Sequence, residues 1–412
     1  MQKVKEAIFS ITNRCNLSCR MCDIPENRVE ELSTQRWKEI IRDASLIGAQ
    51  TAVFSGGEPL LREDIFELIS CARNNRMNAC LTSNGCLIDE NVAEKLARSG
   101  VNVVNVSIEG NESVHDFLRG NGVFKKALCG LSALKKCNIE STIASTVSNY
   151  NFEHLSEIPE LALKYGVTTV RFQPFSRIFL NDYSKGNEFL IGKQDLEKAK
   201  AVMEQVISKL KENNIATNPE GYLRKIPYYL CGQGNPGYSG CGALWSTCSI
   251  NSKGEILPCW VINSEDKIIG TLESAGLYEL WFSERRDRVI NSVIKEGCPG
   301  CMMSCYDEAF NDDSWQVKFI KKAKRADRLF SGKRLANRLV QSLRGELTKI
   351  KLRYKFYKSY RGSLIKVIKR MLNNLRSKIR ICHIDSNDEI KKVAKEIIVA
   401  KNRLRREISK LK

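Results

Sequence analysis

Apolar residues recur along the first half of this chain with two alternating periods. Short β-prone runs fall at 6–12, 51–55, 78–82, 101–107, 139–146 and 167–172. Between them, apolar positions return every three to four residues near 34–47, 63–75, 89–98, 123–136 and 152–165, the spacing that gives a helix one buried face. Six such strand–helix units predict a parallel sheet with helices packed outside it, because parallel strands need a long crossover and the helix supplies it. Right-handed crossovers would wrap the sheet into a barrel or an open part of one, with functional residues at the C-terminal strand ends. A longer helical pattern at 193–214 closes this region, and a Gly-, Pro- and Tyr-rich stretch at 219–242 marks its boundary. The expected organisation is a core at 1–218, a small cysteine-rich domain at 219–315 and a helical tail at 316–412.

Composition sharpens that division. The chain has 412 residues and is 42% hydrophobic, enough to bury a sizeable core. No apolar run reaches the ~18 residues of a membrane span, and no secretory signal precedes the first strand. The expected location is therefore cytoplasmic, at most peripheral to a membrane. The sequence opens almost directly on the first strand, from which no separate N-terminal peptide-recognition domain is expected. Of 66 Lys and Arg, 31 fall in 316–412, against 7 of the 47 Asp and Glu, leaving 35 basic and 40 acidic residues in the rest. The net charge of +19 is thus a property of the tail. Apolar seams at Ile365, Ile368, Leu372, Leu375 and Ile379, and at Ile390, Val393, Ile397, Ala400 and Leu404, predict amphipathic helices there. Self-packing, an anionic membrane surface and RNA all remain open as partners for that basic face.

Ten of the 16 cysteines fall in two sets, while Cys71, Cys80, Cys86, Cys129, Cys137 and Cys382 are scattered. A long chain without a secretory signal favours reduced, metal-holding thiols over a disulfide scaffold. The first set, Cys15, Cys19 and Cys22, has the spacing C-x3-C-x2-C just after the first strand. Three thiolates on one loop hold three irons of a [4Fe–4S] cube and leave the fourth iron open to chemistry, whereas electron-transfer clusters take four. The second strand ends in Gly56-Gly57-Glu58-Pro59, the third in Thr82-Ser83-Asn84-Gly85 and the fourth in Ser107-Ile108-Glu109-Gly110. Together these segments resemble the radical SAM superfamily, with its cysteine triad, its GGEP motif and its strand-end segments along the adenosine. The resemblance implies a partial (β/α)6 barrel that binds a [4Fe–4S] cluster and S-adenosylmethionine. It places Gly56, Gly57, Glu58 and Pro59 at the cofactor's amino group and Ser83, Asn84, Ser107 and Glu109 along its adenosine half. Glu109 stands where the family more usually has Asp. The segment from His115 to Gly120 is similar to the family's H-D-x-x-R-G and puts Arg119 at the methionine carboxylate. Arg171 and Gln173 alternate on the sixth strand, so both share one face and point to substrate or cofactor.

The second set contains Cys231, Cys241, Cys248, Cys259, Cys298, Cys301 and Cys305. The run from Cys248 to Cys259, with Gly254 between, reads as a hairpin carrying two thiols. Spaced cysteines of this kind suit zinc as well as iron–sulfur. The set resembles the SPASM extension of radical SAM enzymes, although the run after Cys298 is shorter than the family's. One auxiliary cluster is the expectation, on Cys248, Cys259, Cys298 and Cys301, with Cys305 or Cys241 as substitutes. Two clusters remain open if Cys231 and Cys241 are recruited.

The resemblance implies reductive cleavage of S-adenosylmethionine to a 5′-deoxyadenosyl radical, which takes a hydrogen atom from a peptide, sugar or small metabolite. The expected outcome is an oxidation, dehydrogenation or crosslink, with a donor such as flavodoxin or ferredoxin supplying the electron. The rival reading is a non-catalytic iron–sulfur or zinc scaffold whose basic tail recruits a polyanion or a membrane.

Overall fold

The computed structural model describes residues 4–234, 243–273, 275–296 and 300–303. Each of the six expected strands is present: β1 Glu6–Thr12, β2 Thr51–Gly56, β3 Asn78–Ser83, β4 Val103–Ser107, β5 Glu140–Val147 and β6 Thr169–Pro174. The connecting helices are α1 Thr34–Leu46, α2 Ile65–Asn74, α3 Glu90–Ser99, α4 Glu112–Arg119, α5 Val123–Lys136 and α6 Ile158–Tyr165, followed by α7 Leu196–Glu212. The sheet runs β6-β5-β4-β3-β2-β1 with every pair parallel. This is the parallel sheet that the two periods predicted, in the partial (β/α)6 form that the family resemblance implied.

Helix starts follow capping chemistry. The side chains of Ser33, Asp89 and Asn111 accept from the backbone N–H three residues on, at the heads of α1, α3 and α4. Helix α4 was absent from the periodicity. It is only eight residues long, too short for a repeat to declare itself, and Asn111 is its clearest signal.

The two faces of each strand differ sharply. Phe9, Phe54, Leu81, Val104, Val170 and Phe172 are fully buried beneath the helices. Phe9 packs edge-on against Trp37 of α1, with ring centroids 5.9 Å apart. The opposite face carries side chains such as Thr82, Asn105, Thr142, Arg171 and Gln173, and they line a cavity of about 1640 Å³. A closed eight-stranded barrel fills its interior with branched apolar side chains. Here six parallel strands enclose a hollow lined by polar and apolar side chains together.

After Pro219 the chain continues the same sheet. β7 Thr247–Ile250 pairs parallel with β1, in the register Ala7↔Cys248, and β8 Glu255–Leu257 and β9 Gly270–Thr271 add antiparallel beyond it. β7 and β8 form the expected hairpin, with Gly254 at φ 78° in its turn. Residues Met1–Ser314 form one compact unit. The tail 316–412, with Cys382 and its apolar seams, lies outside the described residues, as do Cys241, Cys298 and Cys305. Among the described residues no helix is long and apolar enough to cross a membrane.

Candidate functional site

The loop that leaves β1 carries Cys15, Cys19 and Cys22 across the mouth of the cavity, and all three line it. Its neighbours hold it by backbone hydrogen bonds. Gly57 N–H donates to Thr12 O and Glu58 N–H to Arg14 O, both at 2.8 Å, while Arg20 N–H donates to Leu118 O at 2.9 Å and Asp23 N–H to Phe179 O at 2.7 Å. The loop is thus clamped by the ends of β2 and α4 and by the segment after β6. Gly56 and Gly57 make this clamp sterically feasible. A Cβ on Gly56, at φ +135°, would lie 2.2 Å from Thr12 O, and one on Gly57 would lie 2.3 Å from Arg14 O. The close approach expected between these glycines and a ligand is, in the structure, an approach to the chain's own cysteine loop. Both glycines also line the cavity, and Pro59 is buried at the start of the turn that follows.

Glu58 is fully buried. Its carboxylate accepts from Ser83 Oγ at 3.0 Å, Asn84 N–H at 2.8 Å and Leu60 N–H at 3.1 Å. Burial pushes its pKa up to about 7 against those hydrogen bonds. The carboxyl group therefore ties the end of β2 to the end of β3. Ser83 spends its hydroxyl on Glu58 and on Gly85 N–H. Asn84 accepts from Cys86 N–H at 2.9 Å, donates to Asn16 Oδ1 at 2.8 Å and brings Nδ2 within 3.9 Å of Cys15 Sγ.

On the other side of the loop, Ser107 lines the cavity and Glu109 is fully buried. Glu109 accepts from Arg119 Nε at 2.8 Å and Nη2 at 2.5 Å, and from Thr146 N–H at 2.7 Å. Its backbone is held as well: its N–H donates to His115 Nδ1 at 3.1 Å, and its carbonyl accepts from Asn151 Nδ2 at 2.9 Å. The guanidinium of Arg119 thus has its fork engaged by Glu109, leaving Nη1 at 3.9 Å from Cys19 Sγ. Burial, with Arg119 nearby, pushes the His115 pKa down to about 3, so the ring is neutral. Because Nδ1 accepts, the proton sits on Nε2, which has no hydrogen-bond partner among the described residues. The supporting roles of His115 and Asn151 escape a reading by motif. His115 stands inside the H-D-x-x-R-G segment, but its partner is a backbone N–H, which no sequence pattern displays.

The three thiols fit an iron–sulfur cube. They face one cavity, and burial raises all three pKa values, that of Cys22 to about 11; the Cys15 thiolate further disfavours that of Cys19, and both disfavour that of Cys22. Coordination to iron relieves both costs, because it replaces three crowded protons by metal bonds. Among the described residues no three His, Cys, Asp or Glu side chains converge as a single ion requires. A cube instead holds each thiolate on a separate iron.

The second cysteine set is divided by the fold. Cys259 and Cys301 share a small apolar cluster with Ala243 and Met303. Cys248 faces the main core, fully buried, with its pKa raised to about 12 by burial and Arg286 as its charged neighbour. Cys231 also packs in the main core and donates to Gly192 O at 3.7 Å. Arg171 and Gln173 share the cavity-facing side of β6, as their alternation required.

Comparison with known proteins agrees with this geometry. Residues 9–162 match the radical SAM superfamily, and residues 241–306 match the SPASM iron–sulfur cluster-binding domain. The chain belongs to the radical SAM superfamily and carries a C-terminal SPASM domain. Within that class it is 28% identical over 331 residues to an AdoMet-dependent heme synthase of Methanosarcina barkeri, covering 72% of this chain and 91% of that protein. It is also 28% identical over 305 residues to the mycofactocin maturase MftC of Mycolicibacterium smegmatis, covering 71% and 74%. Among solved structures, SuiB of Streptococcus suis bound to S-adenosylmethionine superposes with a TM-score of 0.57 at 19% identity, over 71% of this chain and 68% of that one. The radical SAM domain implies a [4Fe–4S] cluster and S-adenosylmethionine, and the SPASM domain implies auxiliary iron–sulfur clusters.

Proposed function

We propose that this radical SAM enzyme cleaves S-adenosylmethionine reductively on a cluster held by Cys15, Cys19 and Cys22, and oxidises a substrate, a peptide or small metabolite, seated in the barrel cavity. The observation that carries this reading is convergence. Three loop cysteines, the backbone of Gly56 and Gly57, Asn84, Ser107 and Arg119 all line one cavity inside the barrel. When bound, the cluster and S-adenosylmethionine supply a reducing electron and a hydrogen-atom acceptor. The chain does the rest. Gly56 and Gly57 seat the cysteine loop, Glu58 locks the ends of β2 and β3 beside it, and Glu109 orients Arg119.

The cavity of about 1640 Å³ exceeds the roughly 300–1,000 Å³ of ordinary small-molecule pockets, leaving room for a substrate beside the cofactor. Its walls mix hydroxyl, amide and guanidinium groups with apolar side chains, which suits a substrate that both hydrogen-bonds and buries apolar surface. Relatives named as a mycofactocin maturase and as an AdoMet-dependent heme synthase are in keeping with a large substrate. An external one-electron donor such as flavodoxin or ferredoxin completes the scheme. Within it, Cys259 and Cys301 contribute to an auxiliary cluster in the cysteine-rich segment after 218.

The test is direct. Anaerobically reconstituted protein, reduced with dithionite and given S-adenosylmethionine, releases 5′-deoxyadenosine, and C19A releases none. A fully iron-loaded protein that leaves S-adenosylmethionine intact refutes the reading.

A further inference from the structure

We propose that Asn84 and Arg119 are positioning residues for the cluster itself: each aims a side-chain N–H at a ligating cysteine sulfur and raises the cluster's reduction potential. The inference rests on Cys15, Cys19 and Cys22 being the cluster ligands.

Two independent elements converge on the loop in the same way. From the end of β3, Asn84 Nδ2 lies 3.9 Å from Cys15 Sγ. From the end of α4, Arg119 Nη1 lies 3.9 Å from Cys19 Sγ. Neither donor is placed by a ligand. The amide of Asn84 is oriented by Cys86 N–H on its oxygen and by Asn16 Oδ1 on its nitrogen. The guanidinium of Arg119 is fixed through Nε and Nη2 by Glu109, and Glu109 is held in turn by Thr146, His115 and Asn151. Arg119 is largely buried, with 13% of its side chain exposed, and Glu109 is fully buried, so water screens the pair little.

Reduction adds one negative charge to the cluster, spread over iron and sulfur. Hydrogen bonds to the sulfurs and nearby positive charge stabilise that added charge, and both set the potential of such centres. Arg119 offers a full charge as well as a donor, whereas Asn84 offers a dipole, so Arg119 carries the larger share. Glu109 offsets part of that charge and holds its direction. Cofactor contacts alone would not call for donors aimed at the sulfurs.

The experiment uses full-length protein, reconstituted anaerobically as wild type, N84A, R119M, R119K and C19A. Iron content and absorbance establish loading. An EPR-monitored redox titration without S-adenosylmethionine then follows the signal that C19A lacks. For R119M, the ratio of reduced to oxidised cluster at a fixed potential is expected to fall about tenfold, a midpoint about 59 mV more negative for one electron. N84A shifts the same way by less, and R119K recovers part of the loss. Unchanged midpoints in loaded N84A and R119M, with only S-adenosylmethionine affinity falling, would overturn the proposal and leave both as cofactor contacts. Failure of both variants to load iron would also overturn it, because a tuning donor leaves the three ligands in place. Persistence of every cluster signal in C19A would instead refute the ligand assignment beneath it.

Discussion

The cysteine loop after β1 and the cysteine segment around β7 and β8 use the same residue for different ends. In the first, three thiols within eight residues line one cavity, and the ends of β2, β3 and α4 press on the loop from both sides. In the second, cysteines spread more widely along the chain are sorted by the sheet. Pairing of β7 with β1 turns Cys248 into the main core, while Cys259 and Cys301 meet in a separate apolar cluster. Spacing along a loop predicts convergence, because the loop is short. Spacing across a hairpin does not, because each strand position alternates between faces.

The largest expected effect contrasts the two regions through iron. C259A loses about four iron atoms per chain while the first cluster remains, and C248A keeps the full complement. Parallel iron and sulfide counts on the two variants check this. Equal losses from both would place Cys248 among the ligands and erase the distinction. A smaller effect is expected from the clamp. G57A drives a methyl group into the Arg14 carbonyl, costing about 1–3 kcal/mol of stability and loosening the loop. A lower unfolding midpoint, together with weaker cluster retention under chelator, is the readout. Wild-type behaviour in G57A would mean that the loop moves aside at no cost.

The last effect is read as a slope and concerns pH. Burial holds the His115 pKa near 3, below its unfolded value near 6.5. Between those values the unfolded chain binds the proton and the folded chain does not, so stability rises with pH across this window and falls on acidification. The slope is at most about 1.4 kcal/mol per pH unit. H115N, which keeps an acceptor for Glu109 N–H but does not titrate, should show a shallower acid loss in thermal melts of the apoprotein. Matching slopes would place the ring's titration at its unfolded value.

Much of the fold was legible in the chain. Strands such as Val103–Ser107 and helices such as Val123–Lys136 declare themselves through periods of two and 3.6 residues, and parallel order follows from their alternation. Other features were hidden for identifiable reasons. Helix α4 is too short to show a period. The continuation of the sheet by β7 depends on pairing with a strand more than two hundred residues earlier, which no local pattern encodes. That the Glu58 carboxylate ties the ends of β2 and β3 together, through Ser83, Asn84 and Leu60, could not be read from the motif. The partner of Arg119 could not be read either, because Glu109 is ten positions away across a turn.

By itself, the sequence determined which residues could do chemistry: a C-x3-C-x2-C loop behind a strand, a glycine pair at the end of the next strand, and a polar residue on alternate positions of β6. These are local facts, set by bond geometry, spacing and side-chain type. Only the tertiary structure decided which thiols share a site, which carboxylates are spent on neighbouring backbone, and that two N–H donors face the sulfurs of Cys15 and Cys19. Those outcomes depend on strand register and on the face each residue presents, and both are settled by burying apolar surface between elements far apart in the chain.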